Sequence, residues 1–424
     1  MLDIKFILQY PEEVKKGIKN KGVDPSLVDE VLNLDSKRRE LIKKIEALRA
    51  KRNIANEKLL KVPNQEKEEI LKVLKEVKIV LSQQEKELKE IEENFKKKMS
   101  LLPNLPLPNV PIGKDETGNV AIKEVGKKPF FNFPPKDYIQ ISENLDIIDV
   151  KRAAKTSGSR FGFLKKEGAL LEIGLIQFAI ELLSKKGFEI IIPPTLIKPE
   201  LMWAMGYVDR GKEEIYYLEK DNLYLIGTAE QIIGPMYAGE IFNENELPKR
   251  IAAFSSCYRR EAGSYGKDTK GILRVHQFDK VEMFVFSKPE DSINQHQFLL
   301  SLEEEIMQKL GIPYRLINIC TGDLGDPAAA KYDIEAWLPG QNEGKGEYRE
   351  THSTSNCTDF QARRLNTKYK TKNGLEFVHT LNGTAIAIGR TIIAIIENYQ
   401  TKEGFVKIPK VLWKYTNGVK IIKR

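Results

Sequence analysis

Arginines near the middle of the chain could bind phosphate. Arg259, Arg260 and Glu261 follow one apolar segment. Arg274 precedes the next apolar segment, and Glu282 lies within it. A guanidinium group can donate two parallel hydrogen bonds to phosphate oxygens, so arginines on facing strands could hold a polyphosphate from both sides. A nearby carboxylate could bind an adenine amine or a substrate ammonium. The alternative is a charged hairpin that is merely solvated.

The segments around these residues have the pattern of a hairpin. Residues 252–254 and 281–286 are apolar and strand-like, and the residues between them are rich in Gly, Ser, Lys and Asp, including Lys267 and Lys270. This pattern predicts two antiparallel strands joined by a long, mobile loop.

Length and composition indicate a soluble protein of two domains. The chain has 424 residues, of which 41% are hydrophobic and 30% charged, and this length exceeds that of a comfortable single core. No uninterrupted apolar run approaches about 18 residues, and the first residues turn acidic too soon for a signal peptide. We therefore expect a cytoplasmic protein without membrane contact. The net charge of +8 favours a polyanionic partner without proving one.

Several kinds of site are not supported. Cys257, Cys320 and Cys357 are odd in number and far apart, and no CxxC pair or Cys/His cluster exists, so neither a disulfide framework nor a zinc site is expected. We expect the cysteines to be buried small hydrophobic residues. The chain also lacks a GxxxxGK[ST] loop, which excludes a P-loop nucleotidase.

Two apolar heptad runs occupy the first hundred residues. Apolar residues recur at spacings of three and four in residues 27–59 and again in residues 70–95, and a break at residues 62–65 contains Pro63, Asn64 and Gln65. These runs predict an antiparallel coiled-coil hairpin that would reach roughly 50 Å. Its outer faces are rich in lysine, which suits nucleic acid, although a solvated coiled coil that serves dimerisation has the same periodicity. Seven prolines in residues 101–135 then predict a linker and domain boundary.

Three further patterns place polar groups at the ends of strands. An apolar strand at residues 223–226 leads to Thr228 and Glu230, which could bind an ammonium and a small hydroxylated side chain or simply cap a helix. A buried strand at 333–339 precedes the polar run 348–364. A strand at 381–387 passes into an apolar helix, with Gly389 and Arg390 at the junction, where backbone amides and a guanidinium can meet a phosphate.

The run from Tyr258 to Phe284, with its Arg-x-Glu and Arg-x-His-Gln-Phe sequences, resembles motif 2 of the class II aminoacyl-tRNA synthetases in the form found in seryl-tRNA synthetases. Residues 168–194 resemble motif 1, which builds a dimer interface, although an ordinary core helix and edge strand fit the same pattern. Residues 381–400 resemble motif 3. The resemblance covers essentially the whole chain.

This resemblance implies an α+β fold: a class II antiparallel-sheet catalytic domain preceded by an N-terminal antiparallel two-helix coiled-coil arm. The expected domains are a tRNA-binding arm at 1–100, with the coiled coil at about 27–99, a linker at 101–135 and a catalytic domain at 136–424. The implied activity is that of a serine–tRNA ligase, which forms seryl-adenylate from serine and ATP with Mg²⁺ and transfers the seryl group to the 3′ end of tRNA(Ser). The implied partners are L-serine, tRNA(Ser), tRNA(Sec) as a further substrate, and a second copy of the chain in a homodimer.

The resemblance also implies roles for individual residues. The expected catalytic residues are Arg259, Arg390 and Glu350. The expected serine pocket consists of Thr228, Ala229, Glu230, Arg259, Glu282, Asn382 and Thr384. The expected ATP-binding residues are Arg259, Arg260, Glu261, Arg274, Val275, Phe278, Glu350, Thr351, His352, Ser353 and Arg390, and magnesium is expected at Glu350 and Ser353. His352 departs from the usual family pattern, and we predict no catalytic role for it.

Two alternatives belong to other functional classes. An inactive synthetase-like protein would keep the fold and the tRNA-binding arm but would lack amino-acid activation. The presence of Arg259, Glu282, Glu350 and Arg390 argues against it. A coiled-coil scaffold protein would account for residues 27–99 but not for the patterns that follow them.

Overall fold

A computed structural model describes residues 1–63, 66–209, 211–262, 268 and 270–424. Asn64 and Gln65 of the predicted turn and the loop residue Lys267 lie outside the described residues. The chain forms two compact units, Met1–Pro103 and Asn104–Arg424. No helix in the described parts of the chain is long and apolar enough to cross a membrane.

The first unit is helical. Its helices are α1 (Ile4–Gln9), α2 (Pro11–Asn20), α3 (Ser26–Leu59) and α4 (Lys67–Leu101). Lys98 of α4 pairs with Glu30 of α3, and Glu85 of α4 pairs with Arg49 of α3. Because the partners run in opposite directions along the two helices, α3 and α4 are antiparallel, and the predicted coiled-coil hairpin is confirmed.

Helix α3 contains a buried charge that the apolar pattern does not predict. Leu34 is only half-buried, whereas the neighbouring Asp35 is fully buried. Arg38 and Arg39 pair with the Asp35 carboxylate at 2.9 and 2.7 Å. The two guanidinium groups compensate the carboxylate for the loss of water, which explains how an acid can be buried on this helix.

The second unit contains the remaining elements. Its helices are α5 (Tyr138–Leu145), α6 (Val150–Ser157), α7 (Glu167–Lys185), α8 (Pro199–Ala204), α9 (Glu230–Ile233), α10 (Ser292–Leu310), α11 (Gln341–Gly344), α12 (Phe360–Leu365) and α13 (Ile388–Asn398). Its strands are β1 (Val120–Val125), β2 (Ile148–Asp149), β3 (Phe163–Leu164), β4 (Glu189–Ile191), β5 (Leu196–Ile197), β6 (Tyr217–Leu218), β7 (Leu223–Leu225), β8 (Ile241–Phe242), β9 (Lys249–Tyr258), β10 (Gln277–Ser287), β11 (Tyr314–Asn318), β12 (Ala330–Leu338), β13 (Glu347–Asn356), β14 (Lys368–Thr371), β15 (Gly374–Phe377), β16 (His379–Ala387), β17 (Val406–Lys407) and β18 (Ile421–Ile422).

Eight of these strands form the central sheet, in the order β1-β11-β12-β13-β16-β10-β9-β4. Every neighbouring pair is antiparallel except β4 and β9. Apolar residues of α7, α10 and α13 pack against one face of the sheet and form the main core. The predicted antiparallel-sheet fold is therefore confirmed.

The central hairpin and the strand–helix junction also follow the sequence pattern. β9 pairs with β10 from Lys249 opposite Phe286 to Tyr258 opposite Gln277. On its other edge β10 pairs with β16, and β16 leads directly into α13. β1 lies within the proline-rich segment 101–135 and pairs with β11 at the edge of the sheet, so this segment contributes a strand as well as a connection.

The buried carboxylate of Glu397 joins α13 to the start of α5 and to the residues that follow β12. The Glu397 side chain accepts hydrogen bonds from the backbone N–H groups of Tyr138 and Gly340, at 3.1 and 2.8 Å, and from the Gln341 amide. Glu397 has no exposed surface, and burial raises the pKa of its carboxyl to about 7. Because α13 also carries Arg390, this contact helps to fix one side of the site.

We predict that Glu397→Ala lowers the free energy of unfolding by about 3 kcal/mol, because it leaves buried donors without an acceptor. Urea unfolding measures this change. The exposed Glu403 on the following loop provides a control, and Glu403→Ala should change stability by less than about 0.5 kcal/mol. A similar loss in both variants would contradict the assigned role of Glu397.

The same substitution has an expected pH dependence. The folded pKa of about 7 lies above the reference value of 4.5, so the stabilising contribution is complete below about pH 4.5 and declines as the pH rises through about 7. The stability difference between the wild type and Glu397→Ala should therefore be larger at about pH 5 than at about pH 8. A difference that grows with pH would show that the carboxylate form is the more stable one in the folded protein.

Candidate active site

A cavity of about 680 Å³ lies over the middle of the central sheet, a volume that suits a nucleotide together with a small second ligand. β10 contributes Phe278, Lys280 and Glu282 to its lining. These residues lie on one face because side chains alternate along a strand. The neighbouring strands, the β7–α9 connection and the start of α13 contribute Thr228, Glu230, Glu350, Thr351, Ser353, Asn382, Thr384 and Arg390.

One end of the cavity contains a compact polar cluster. Lys280 and Glu282 are 6% and 2% exposed, and the Lys280 ammonium forms an ion pair with the Glu282 carboxylate. The same ammonium donates to the Thr228 hydroxyl at 2.7 Å. A buried carboxylate beside hydroxyl and amide groups suits a small ligand that carries an ammonium and a hydroxyl.

Glu230 lies in the same part of the cavity. Its two carboxylate oxygens accept hydrogen bonds from the Tyr207 hydroxyl at 2.6 Å and from the Gln361 amide at 2.8 Å. Burial raises the pKa of Glu230, while these two hydrogen bonds and nearby Lys280 favour its ionised form.

The other end of the cavity has the charge pattern of a phosphate site. The Arg259 side chain donates to the Gly227 carbonyl at 3.3 Å, and its guanidinium lies 5.3 Å from the centre of the Phe278 ring. Arg390 lies 3.3 Å from the Glu350 carboxylate and donates to the Glu350 carbonyl. Desolvation raises the pKa of Glu350, but Arg390, Lys331 and Arg259 outweigh it and lower the pKa to about 2. Glu350 is therefore ionised at neutral pH.

Two more carboxyl groups lie beneath the site. Burial raises the pKa of Asp333 to about 6, and Lys331 pairs with it at 3.1 Å. Glu303 of α10 is fully buried, and burial raises the pKa of its carboxyl well above the usual range. Glu303 lies behind Gly383, where an added Cβ would stand 3.0 Å from its carboxyl oxygen.

The structure brings most of the predicted site residues to this cavity. In addition to those above, Arg259, Glu261, Arg274 and Val275 line it. Three predicted residues do not belong to the lining: Ala229 is buried, Arg260 is exposed beside Tyr216, and His352 is buried with its Nδ1 atom 2.9 Å from the Thr351 hydroxyl. Burial lowers the pKa of His352 to about 4, so its ring is neutral at pH 7. The loop residues 263–267 and 269 of the predicted hairpin lie outside the described residues.

Comparison with known proteins identifies the fold and the family. The family profile of the class II tRNA synthetase core domain (G, H, P, S and T) matches residues 216–399, and that of the seryl-tRNA synthetase N-terminal domain matches residues 1–106. The chain is 45% identical over 419 residues to the serine–tRNA ligase of Dictyoglomus turgidum, which covers 98% of each chain. The chain belongs to the seryl-tRNA synthetase family. The predicted enzyme class and ligase function are thereby confirmed.

Two solved seryl-tRNA synthetases have the same fold throughout. The Pyrococcus horikoshii enzyme, complexed with ATP, matches with a TM-score of 0.93 and 42% identity and covers 100% of this chain and 99% of its own. The cytoplasmic Naegleria fowleri enzyme, in complex with AMP, matches with a TM-score of 0.89 and 35% identity at the same coverage. Both relatives were solved with an adenine nucleotide, which agrees with the size and charge of the cavity in this synthetase.

Sequence reasoning missed four residues of the site in this synthetase. Lys280 could have been found, because it lies two residues from both Phe278 and Glu282 on a predicted strand and therefore shares their face. Lys331 similarly lies two residues from Asp333. Tyr207 and Gln361 had no such signal, since they reach Glu230 from elements far away in the sequence.

We predict that Lys280→Met lowers the stability of the synthetase by about 3–5 kcal/mol, because Glu282 would remain buried without its cation. Thermal and urea unfolding measure the loss. Adding Glu282→Leu should recover part of it, since the double variant no longer buries an unpaired charge.

The matched control is Lys249→Met. Lys249 forms a partly exposed ion pair with Glu189 at 3.1 Å, and its loss should cost no more than about 1 kcal/mol. Equal losses for the two lysines, or no recovery in the double variant, would refute the assigned pairing of Lys280 with Glu282.

Proposed function

We propose that this serine–tRNA ligase carries out both steps of charging with the residues of the cavity. The serine carboxylate attacks the α-phosphorus of ATP, a new phosphorus–oxygen bond forms, and pyrophosphate leaves. The terminal ribose hydroxyl of tRNA then attacks the seryl carbonyl, and AMP leaves. The observation that carries this proposal is the position of an ammonium-binding cluster and two phosphate-binding arginines in one cavity.

In the amino-acid half of the site, Glu230, Glu282 and Thr228 are proposed to bind the serine ammonium and hydroxyl, with Asn382 and Thr384 completing the pocket. Glu282 and Thr384 lie opposite each other on β10 and β16, so the pairing of these strands sets their separation. A pocket of buried polar groups rejects an analogue without the hydroxyl, because the groups meant to bind it lose their partner. Alanine is therefore expected to be a poor substrate.

In the nucleotide half, Arg259 is proposed to bind the α-phosphate and the serine carboxylate, and Arg390 the distal phosphate. Phe278 would stack on adenine, and Glu261 would accept from its amine. Arg274 pairs with Glu261 at 3.5 Å and with Asp268 at 3.2 Å, which places its guanidinium beside that site. Such groups accelerate the reaction by positioning the substrates and neutralising charge, without acting as an acid or base.

The donor set at Glu350 and Ser353 fits magnesium. Mg²⁺ prefers oxygen ligands and is commonly bound through one or two carboxylates together with substrate phosphates. Glu350 is ionised, as its lowered pKa requires, and both side chains line the cavity. When bound, Mg²⁺ would neutralise phosphate charge. No zinc site is part of this proposal.

The N-terminal unit is proposed to be the tRNA-binding arm. The lysines on the outer faces of α3 and α4 are exposed: Lys43, Lys44, Lys51, Lys58 and Lys61 on and just after α3, and Lys72, Lys75, Lys78, Lys86 and Lys89 on α4. Exposed lysines attract phosphates without reading bases, so the arm would recognise the shape and backbone of tRNA(Ser), and of tRNA(Sec) if that substrate is used.

A homodimer and a cytoplasmic location complete the proposal. The helix and strand that resemble motif 1 are α7 and β4. An exposed isoleucine lies within α7, and another directly follows β4. Ile173 of α7 is 50% exposed, and Ile192 after β4 is 78% exposed. Exposed isoleucines on adjacent elements favour a protein interface, and a second copy of the chain would cover them.

The test of the function is charging of total tRNA with labelled serine in the presence of ATP and magnesium, run beside threonine, alanine and glycine. Charging with serine alone supports the proposed enzyme and pocket together. If none of these amino acids is charged while the protein still binds tRNA, the chain is an inactive tRNA-binding protein.

We predict that Glu282→Ala abolishes serine activation while ATP binding stays measurable, because Glu282 belongs to the amino-acid half of the site. Arg259→Lys should also abolish activation, since a single ammonium cannot form the paired hydrogen bonds of a guanidinium. Serine-dependent exchange of pyrophosphate into ATP measures activation, and nucleotide titration measures binding. Retained activation in Glu282→Ala would remove this residue from the pocket.

We also predict that deletion of residues 35–89 abolishes tRNA charging but leaves serine activation within about twofold of the wild type, because the deleted residues belong to the arm unit and the site belongs to the catalytic unit. Pyrophosphate exchange and charging are measured on the same preparation. In the full chain, changing Lys72, Lys75 and Lys78 to Glu should weaken charging in the same selective way. Normal charging by the deletion would refute the role of the arm.

A further inference from the structure

Tyr207, Glu230, Gln361 and Thr380 form a hydrogen-bonded chain that ends in the cavity. The Thr380 hydroxyl donates to the Gln361 side-chain oxygen at 2.6 Å, and the Gln361 amide donates to Glu230 at 2.8 Å. From the other side, the Tyr207 hydroxyl donates to Glu230 at 2.6 Å. Gln361 and Thr380 have no exposed surface, and Glu230 is 4% exposed. The carboxylate is therefore held at one oxygen by the buried Gln361 amide and at the other by the part-buried Tyr207 hydroxyl.

The hydrogen bonds to Glu230 fix the orientation of its carboxylate. An ionised carboxylate has about four acceptor positions, and the Tyr207 and Gln361 donors occupy one on each oxygen. Tyr207 and Glu230 both line the cavity, so the remaining positions are available to a ligand there. Rotation of the carboxylate would break both short hydrogen bonds. The Gln361 amide has a single favourable orientation, because its nitrogen donates to the Glu230 carboxylate and the Met205 carbonyl, which can only accept.

The charged and titratable groups around Glu230 make these donors important for its ionisation. From β10 it faces Glu282, which disfavours a second negative charge, and Lys280, which favours it. Burial disfavours the charge most strongly, and the Tyr207 and Gln361 hydrogen bonds oppose that effect. The Cys357 thiol also lies near the Tyr207 hydroxyl. Removal of either donor would thus favour the protonated carboxyl. A protonated carboxyl binds an ammonium more weakly than an ionised carboxylate does.

We propose that Tyr207 and Gln361 are positioning residues for amino-acid activation, which hold the Glu230 carboxylate oriented toward the substrate ammonium. This inference rests on the proposed function of the cavity. It separates the residues that touch serine from a second set that acts on serine only through Glu230.

A purely structural role would have a different signature. Gln361 also donates to the Met205 carbonyl at 3.3 Å, so the same contacts could serve only to join α12 to the residue after α8. In that case the loss of a donor would lower stability or would weaken the use of both substrates alike. The positioning role requires a change that is specific for serine and dependent on pH.

The experiment compares Tyr207→Phe with the wild type in serine-dependent pyrophosphate exchange at several pH values. Tyr207→Phe keeps the ring and removes only the hydroxyl. We expect the KM for serine to rise by about tenfold or more, because a hydrogen bond to a charged group is lost, and the KM for ATP to change by less than about twofold. The acid limb of kcat/KM for serine should move to higher pH, because Glu230 is protonated more readily.

Tyr399→Phe is the matched control. The Tyr399 hydroxyl donates to the Leu310 carbonyl at 2.6 Å and takes no part in the cavity lining. Its removal should leave the KM for serine and the pH profile unchanged. If Tyr207→Phe does not fold, Gln361→Met removes the other donor and should produce the same selective change.

The outcomes separate this inference from the proposed function. An unchanged KM for serine and an unchanged acid limb in Tyr207→Phe, with an active wild type, would overturn the positioning role and leave the function intact. Equal increases in the KM for serine and for ATP would overturn it as well. A wild-type protein without serine activation would instead refute the proposed function.

Discussion

The pairing of β10 with β9 on one edge and β16 on the other is the constraint on which the site depends. Antiparallel pairing fixes which residues of neighbouring strands lie side by side, and alternation along each strand fixes the face on which they lie. Phe278, Lys280 and Glu282 therefore point into one cavity, beside Asn382 and Thr384. The two halves of the site are held in position by backbone hydrogen bonds, before any substrate contact is made.

Charge compensation is the second requirement of this arrangement. Three carboxylates of the cavity have partners: Glu230 and Glu282, which are buried, and Glu350, which is exposed. Lys280 pairs with Glu282, Arg390 lies beside Glu350, and the hydrogen-bond donors of Tyr207 and Gln361 serve Glu230. Both carboxyl oxygens of Glu303 are buried without a hydrogen-bond partner among the described residues, and burial raises the pKa of this carboxyl well above its usual range. The carboxyl groups of the cavity and the one behind it therefore differ in how far neighbouring groups stabilise their charge.

The sequence predicts those parts of the fold that local periodicity determines. The coiled-coil hairpin, the β9–β10 hairpin and the passage from β16 into α13 follow from repeats of apolar residues, and the arginines of the cavity follow from the motif that surrounds them. The sequence does not predict β1 within the proline-rich segment, the burial of Asp35, or the contacts of Tyr207 and Gln361 with Glu230. β1 and the contacts of Glu230 depend on partners that are distant in the sequence. The burial of Asp35 depends on its pairing with two arginines, which a pattern of apolar residues does not show.

Gly383 shows how an element outside the cavity can influence what the cavity selects. Its neighbours Asn382 and Thr384 face the pocket, whereas a side chain at Gly383 would meet Glu303 at 3.0 Å, Thr354 at 3.1 Å and Met283 at 3.2 Å. A larger residue there would require β16, α10 or the two neighbouring strands to shift. Packing behind the sheet therefore helps to fix the position of β16, and with it the positions of Asn382 and Thr384 in the cavity wall.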